Sequence, residues 1–571
     1  MQRLKRNDPR NNTKYHELHL RVRSCVFVDR YLLRLTLKSH AISCLVALLL
    51  LLPGVNAQGQ KRTDSRPRKL PSADKVVNDY LKAIGGKKKV ATIRDATYDW
   101  LIQRDNQPTG TAKTELKAPA SVRSEITFAD GQEVSGAHGV QVTAGANGAS
   151  AWTRGLDGQL RTLTGAEASA AKLQALLDAS RLLNYKKLNV LARVVSLSNV
   201  DSEPAYVVEF STRAGGRLRY WFSSSSKLLL RIDDEQTKST RNLFDYRAAT
   251  GGTPLLEPHR VQLSTGDSNT LTFVLQHVRY NNAVSDSAFD PPRTTETLDV
   301  RALLVEVGRN QDDVERRVTE YAFIQKETDR EINSKGEITK ETQKVFEVFP
   351  IANDTPIKKL LSENGVQLSA ERAAKESKRV EEEFLKAERD REKNEQKAER
   401  RKIEQRKKTA QNDDGDPELS LFLRACEFIS PRRERFRDRD AVVFNFRPRQ
   451  GFSPANREES LISKLVGVVW IDPVDKQVIR LEARLAEGFK MAGGLLLSLR
   501  PGAGLVIEQA RMTEGVWLPR LAQVNLSMKL LLFAGREMNK TIEWSDYKHF
   551  KGDVSDYKLD APKTVDDPKR P

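Results

Sequence analysis

Residues 206–233 read YVVEFSTRAGGRLRYWFSSSSKLLLRID. Tyr206, Val208 and Phe210 recur at every second position, and so do Tyr220 and Phe222, which puts each set on one face of an extended strand. Ser223–Ser226 read as the turn of a hairpin between two strands. Alternation of this kind belongs to antiparallel sheets with one dry and one wet face, and a sheet that curls around its dry face leaves an apolar trough. The same face gathers Trp100 and Ile102 from Tyr98–Ile102, so it is rich in aromatic side chains. Between these strands, Ala166–Leu183 has the spacing of an amphipathic helix able to lie across the open mouth of the curl.

Outward from this stretch, the layout occurs twice. Asp74–Ile84 is a helical lead-in to strands that run as far as Phe289-Asp290-Pro291-Pro292, with Ser72 as its N-cap. Leu303–Val318 leads into a second series that ends near Phe550. There Tyr321–Ile332 and Glu337–Phe349 flank the turn Asn333-Ser334-Lys335-Gly336, which predicts a hairpin. Further strands are predicted at 441–446, 467–472, 477–485, 495–499, 504–512, 523–531 and 537–544, a meander. At 571 residues, the chain has room for two full cores. The boundaries read as 72–293 for the first unit, 294–300 for a link and 301–550 for the second, with a polar tether at 58–71 and a tail at 551–571.

Composition narrows the class. The run Ala41–Leu52 is too short to span a bilayer but suits a secretory h-region, so residues 1–57 read as a signal peptide with an extended n-region, cut after Ala57. The mature chain is then periplasmic or secreted, and with no cysteine at the cut it is not lipid-anchored. Up to Lys38 the leader carries ten Lys/Arg against three Asp/Glu, so the formal +18 falls by 7 to about +11 in the mature chain. That charge mixes both signs and suits anionic lipid headgroups better than nucleic acid. Cys426 is left without an intrachain partner once Cys25 and Cys44 leave with the presequence.

Ala370–Lys408 interrupts the second unit. It is about two-thirds charged, with Glu and Lys/Arg interleaved at three- and four-residue spacing, which predicts a solvated helix; Gln411–Asp416 follows as a hinge. Such an arm can also grip a protein partner.

Signals for catalysis are sparse. The mature chain's histidines, His138, His259, His277 and His549, form no metal-binding motif, so neither a metal nor a cofactor is expected. Ser224 and Lys227 match a Ser-x-x-Lys pattern, but they fall in the serine turn without companion motifs. The expectation is a binder and not an enzyme.

Several segments carry a family likeness: YLKAIGGKKKVATIRDATY at 80–98, GANGASAWTR at 145–154, the stretch at 206–233 and DSAFDPP at 286–292. In that order they resemble bacterial outer-membrane lipoprotein-sorting proteins, the LolA/LolB-like carriers. The second half, with VFEVFP at 345–350, VVFNFRP at 442–448, GVVWIDPVDKQVIRLEARL at 467–485 and GVWLPRLAQVNLS at 515–527, looks like a divergent relative. The resemblance implies an α+β fold, predominantly antiparallel β: two tandem half-barrels capped by helices, with the charged helix inserted. It also implies that the concave apolar lining shelters acyl chains of lipid or lipoprotein. An arginine on a strand latches the lid helices of such carriers, and here Arg104, Arg123, Arg154, Arg219 and Arg231 all sit near strands without one standing out.

Burial of hydrocarbon contributes about 0.8 kcal/mol per CH₂, so an unbroken apolar lining suffices to hold an acyl chain. The expected lining is Trp100, Ile102, Trp152, Tyr206, Val208, Phe210, Tyr220 and Phe222 in the first half. In the second it is Phe346, Val348, Phe444, Phe446, Val468, Trp470, Leu497 and Leu526. The other reading is an envelope scaffold or sensor that binds a protein partner through the half-barrels and the charged arm.

Overall fold

The structure is a computed structural model that describes residues 70–549, apart from 130–140, 156, 250–254, 267–268, 294–297, 319, 334, 351–355, 406–416, 492–496, 513–514 and 531–535. The leader at 1–57, nearly all of the 58–71 tether, the hinge at 411–416, His138 and the tail at 551–571 therefore lie outside the described residues.

Predominantly antiparallel strands form two large, curved, open sheets. The path of the first explains its shape. Strands step outward one by one from Asp95–Arg104 to an edge at Leu160–Thr162. The chain then crosses to the opposite edge, Leu191–Val200, and steps back until Asn269–Tyr280 pairs with Asp95–Arg104. Only a connection across one face can join those two edges. Gly165–Ser180 supplies it, as the helix predicted at 166–183.

The second sheet repeats this path. It steps from Tyr321–Ile332 out to Val366–Gln367, crosses through helices, restarts at Cys426–Phe436 and returns until Arg536–His549 pairs with Tyr321–Ile332. The hairpin predicted between Tyr321–Ile332 and Ile338–Phe349 forms, with the Gly336 amide donating to the Asn333 carbonyl.

Seven helices are described: α1 (Ala73–Ala83), α2 (Lys87–Val90), α3 (Gly165–Ser180), α4 (Val300–Val318), α5 (Ala370–Gln405), α6 (Pro417–Ala425) and α7 (Arg457–Ile462). Ser72 caps α1, its side chain accepting from the Lys75 amide at 3.3 Å. Helix α3 is alanine-rich, so it can press close to the sheet: Ala168 and Ala175 meet Ala146 and Ala151, while Leu173 and Leu177 meet the aromatic strands. Among the described side chains, helix α5 meets its sheet near its start, where Val380 and Phe384 pack on Phe349 and Ile357.

Candidate functional site

The aromatic face forms where the alternation places it. Phe210 and Tyr220 meet edge to face at 5.1 Å, Tyr185 meets Phe210 at 5.6 Å and Tyr80 meets Phe222 at 5.3 Å. Val208, Phe210, Tyr220 and Phe222 are wholly buried, with Tyr206 half-buried beside them. What covers them is the protein itself: Val76, Val77 and Leu81 of α1 and Leu173 and Leu177 of α3.

The trough expected from the sequence is therefore filled by its own lids. Trp100 and Ile102 lie elsewhere on the sheet: Trp100 stacks on Tyr98 in a separate small cluster and Ile102 is buried. Trp152 lies against Gly145, and its indole donates to the Phe289 carbonyl at 3.3 Å, so it anchors the closing Phe-Asp-Pro-Pro segment.

The second half needs a sharper correction. Phe444 pairs with Val469 across the strands, and Val443 pairs with Trp470. Phe444 and Phe446 thus share a face with Val469 and Ile471, under Val300, Leu304 and Val307 of α4. Val468 and Trp470 lie on the opposite face, with Val443 and Ile479. The segments AVVFNF and GVVWID are apolar at consecutive positions, so alternation could not tell their faces apart, and the one lining predicted is two.

Val348 is buried beside Phe323 and Trp544, with Phe346 half-buried under the Lys358 ammonium. Leu526 is half-buried near Leu485, and Leu497 pairs with Leu530 in a short strand. The predicted side chains that the structure describes do not line the two grooves between the sheets or the groove beside α5 at Leu360 and Arg372.

A latch holds the first lid, and sequence reading did not place it. Arg181 ends α3 in the left-handed region, φ 51°, a conformation that costs a non-glycine residue about 1 kcal/mol. That turn sends its guanidinium onto the sheet. Its Nη1 meets Glu257 Oε1 at 2.8 Å and its Nη2 donates to the Tyr98 hydroxyl. The hydroxyls of Tyr98 and Tyr280 also donate to Glu257, at 3.0 and 2.7 Å, and the guanidinium stacks over both rings.

Burial raises the Tyr98 and Tyr280 phenols well above their ordinary range, so both remain donors at neutral pH. Three of the five strand arginines pair within their own sheet instead: Arg123 with Glu125, Arg219 with Glu209 and Arg231 with Asp233.

A polar seam joins the two sheets. Arg432 is fully buried and donates through Nε to Glu434 at 2.5 Å, while the Thr162 amide and hydroxyl donate to the same carboxylate at 2.7 and 2.6 Å. Asn445 donates to Ser150 at 2.7 Å. Beside this lock, a cleft of about 470 Å³ opens between the sheets. It is lined by Lys172, Arg213, Arg217, Arg330, Arg480, Arg484 and Lys540 against one carboxylate, Glu482. A second groove, of about 1030 Å³, shares Arg213 and runs past Asp74, Arg193, Glu209 and Arg500.

Among the described residues, no group of three His, Cys, Asp or Glu side chains could hold a metal ion. Burial pushes the Cys426 thiol up to about 12. Ser224 and Lys227 form a turn in which the ammonium donates to the Ser224 carbonyl.

No protein-family model and no curated protein matches the chain. Among solved structures, it is similar to a DUF1329 family protein from Desulfovibrio piger, with 15% identity over 38% of this chain and 96% of the other and a TM-score of 0.25. A putative outer membrane lipoprotein-sorting protein domain from Vibrio parahaemolyticus shows 10% identity over 37% and 97% of the two chains, with a TM-score of 0.25. The Pseudomonas aeruginosa MucA/MucB complex shows 8% identity over 82% and 94%, with a TM-score of 0.16. At these scores the fold rests on the strand order of the chain itself.

Proposed function

We propose that the protein is an exported, non-enzymatic binder of acyl chains or lipoproteins in the cell envelope, working without a cofactor and opening its first sheet to take the ligand. One observation carries this reading. A continuous aromatic wall, Phe210, Tyr220 and Phe222, is closed by two helices, and the longer of them is fastened to the sheet by the Arg181–Glu257 pair. Helices on a curved sheet can lift as units, and hydrocarbon that replaces them recovers about 0.8 kcal/mol for each CH₂ it buries. The closed form is then the ligand-free end of a two-state equilibrium, and a weaker latch moves the population toward the open form.

The test uses the chain from residue 58 to 571 with a fluorescent fatty acid, and native mass spectrometry of protein purified from its own host. R181M should raise acyl-probe affinity severalfold, and lipid should travel with the wild type. Absence of bound lipid from wild type and R181M alike would overturn the reading.

A second reading is favoured by a different observation. Both sheets are filled by their own side chains, and α5 leaves most of its 36 residues beyond the Val380–Phe384 contact. This suits an envelope scaffold that binds a protein partner through the helix. Deletion of 370–408 then abolishes partner capture while leaving lipid content unchanged.

A further inference from the structure

The cleft between the sheets has a property that acyl binding does not call for. Most of its cations are already answered. Lys172 pairs with Glu482 at 3.3 Å, Arg480 with Glu508 at 2.6 Å, Lys540 with Glu327 at 2.6 Å, Arg217 with Glu209 at 2.7 Å and Arg330 with Glu341 at 2.7 Å. Arg484 is different. Its guanidinium reaches across the seam to Gly148 of the other sheet, so close that a Cβ on Gly148 would stand 2.7 Å from Nη2. Among the described residues no carboxylate pairs with it, and burial alone shifts it. Burial pushes it down to about 10, still charged at neutral pH. A guanidinium held in a half-closed cleft without a counter-charge is unfavourable unless an anion joins it.

A second feature points into the same cleft. Helix α3 begins there, with Gly165 and Ala166 on the cleft wall, and its N-cap Thr164 makes no side-chain cap. The first amides of a sixteen-residue helix carry the positive end of its dipole, and the one carboxylate of that turn, Glu167, is taken up by Arg161 at 2.9 Å. Helix-start amides and an arginine that line one cleft suit a phosphate. The loop 212–216 packs on the helix just past this turn, where a Cβ on Gly216 would come 2.4 Å from the Ser169 carbonyl, so glycine allows the close contact.

We infer that the cleft is a binding site for a phosphate group, seated between the Arg484 guanidinium and the first turn of α3, with Lys172 on its wall. The site joins both sheets, since Arg484 and α3 belong to different ones, and it stands whether or not the first sheet opens to hydrocarbon. A phosphodiester lipid headgroup and a free phosphate or pyrophosphate share this chemistry.

The experiment uses residues 58–571 and two probes: sodium pyrophosphate by isothermal titration calorimetry, and sedimentation with phosphatidylglycerol or phosphatidylcholine vesicles. Saturable binding that R484Q weakens at least tenfold supports the site. Binding of pyrophosphate identifies free phosphate as a sufficient ligand, and binding confined to phosphatidylglycerol vesicles identifies the headgroup. G148A, which crowds Nη2, should weaken binding severalfold through a change in the other sheet. R500Q removes a positive charge from the neighbouring groove and should leave affinity within twofold. The melting temperature of R484Q should match or exceed that of the wild type, since no partner is lost. Binding that is absent in both arms, insensitive to R484Q, or weakened as much by R500Q overturns the assignment.

Discussion

The two sheets trace the same path but treat their faces differently. In the first, the strands that carry Phe210 and Tyr220 are apolar on the covered face, and charge enters at its border as single pairs with the lid: Glu257 of the sheet with Arg181, and Arg241 of the sheet with Asp178. In the second, charge is built into the sheet. On Tyr321–Ile332 the inward set begins apolar with Tyr321 and Phe323 and continues as Gln325 and Glu327. Glu327 accepts from Lys358 at 2.7 Å and from Lys540 at 2.6 Å, with both Glu327 and Lys540 nearly inaccessible. Hydrocarbon cannot replace water or protein over such a triad without stripping ions of their partners. On the proposed function, acyl binding then falls to the first sheet and the second is its companion.

The largest expected effect comes from breaking the triad. K540M leaves Glu327 short of one of two cations in a buried site and should cost about 3–5 kcal/mol in urea unfolding. It should leave acyl affinity unchanged, whereas R181M raises it. A K540M protein that gains acyl binding would erase the distinction between the sheets.

The same carboxylate gives a pH signature. Burial acts to raise the Glu327 pKa, but Lys358 and Lys540 outweigh it and bring the group from an ordinary 4.5 to about 2. A depressed folded value means the stabilisation is complete above about pH 4.5 and is lost as pH falls toward 2. Between those limits the wild type should lose up to about 3 kcal/mol from this group alone. E327Q, compared at pH 6 and pH 3, should show a correspondingly smaller loss. Equal slopes for the two proteins would mean that the triad does not hold the second sheet.

What could be read from the chain follows the range of the interactions. Tyr206, Val208 and Phe210 declare their face because the partners that bury them need only be apolar, and alternation records that locally. The lid helix at 165–180 was legible for the same reason. Strand Cys426–Phe436 was not, because Pro431, Arg432, Arg433, Glu434 and Arg435 look like a solvated loop. Arg432 is buried only because Thr162 and Glu434 close around it, and Thr162 lies 270 residues away.

Arg181 was hidden by a left-handed backbone that its side chain gives no reason to expect. Arg484 was hidden because its neighbour Gly148 belongs to the other sheet. The apolar scaffold of the candidate site was thus visible in the sequence, whereas its latch and its charged cleft depend on pairs that only the folded chain brings together.

The smallest effect probes how α1 shares the work of closure with α3. Ser72 caps α1, while Asp74 in its first turn bonds to Tyr185 and Lys186 just beyond α3, so the two lids are tied together at this end. Lys186 and Tyr185 hold the Asp74 carboxyl below its ordinary range against the opposing effect of partial burial. S72A removes one cap and should cost about 1 kcal/mol. If the lids open together, amide exchange should quicken in both α1 and α3, and acyl affinity should rise slightly while the second sheet stays unchanged. Faster exchange in α1 alone would show that Arg181 holds α3 by itself. The ligand would then enter beneath α1, and R181M and S72A would act on separate openings.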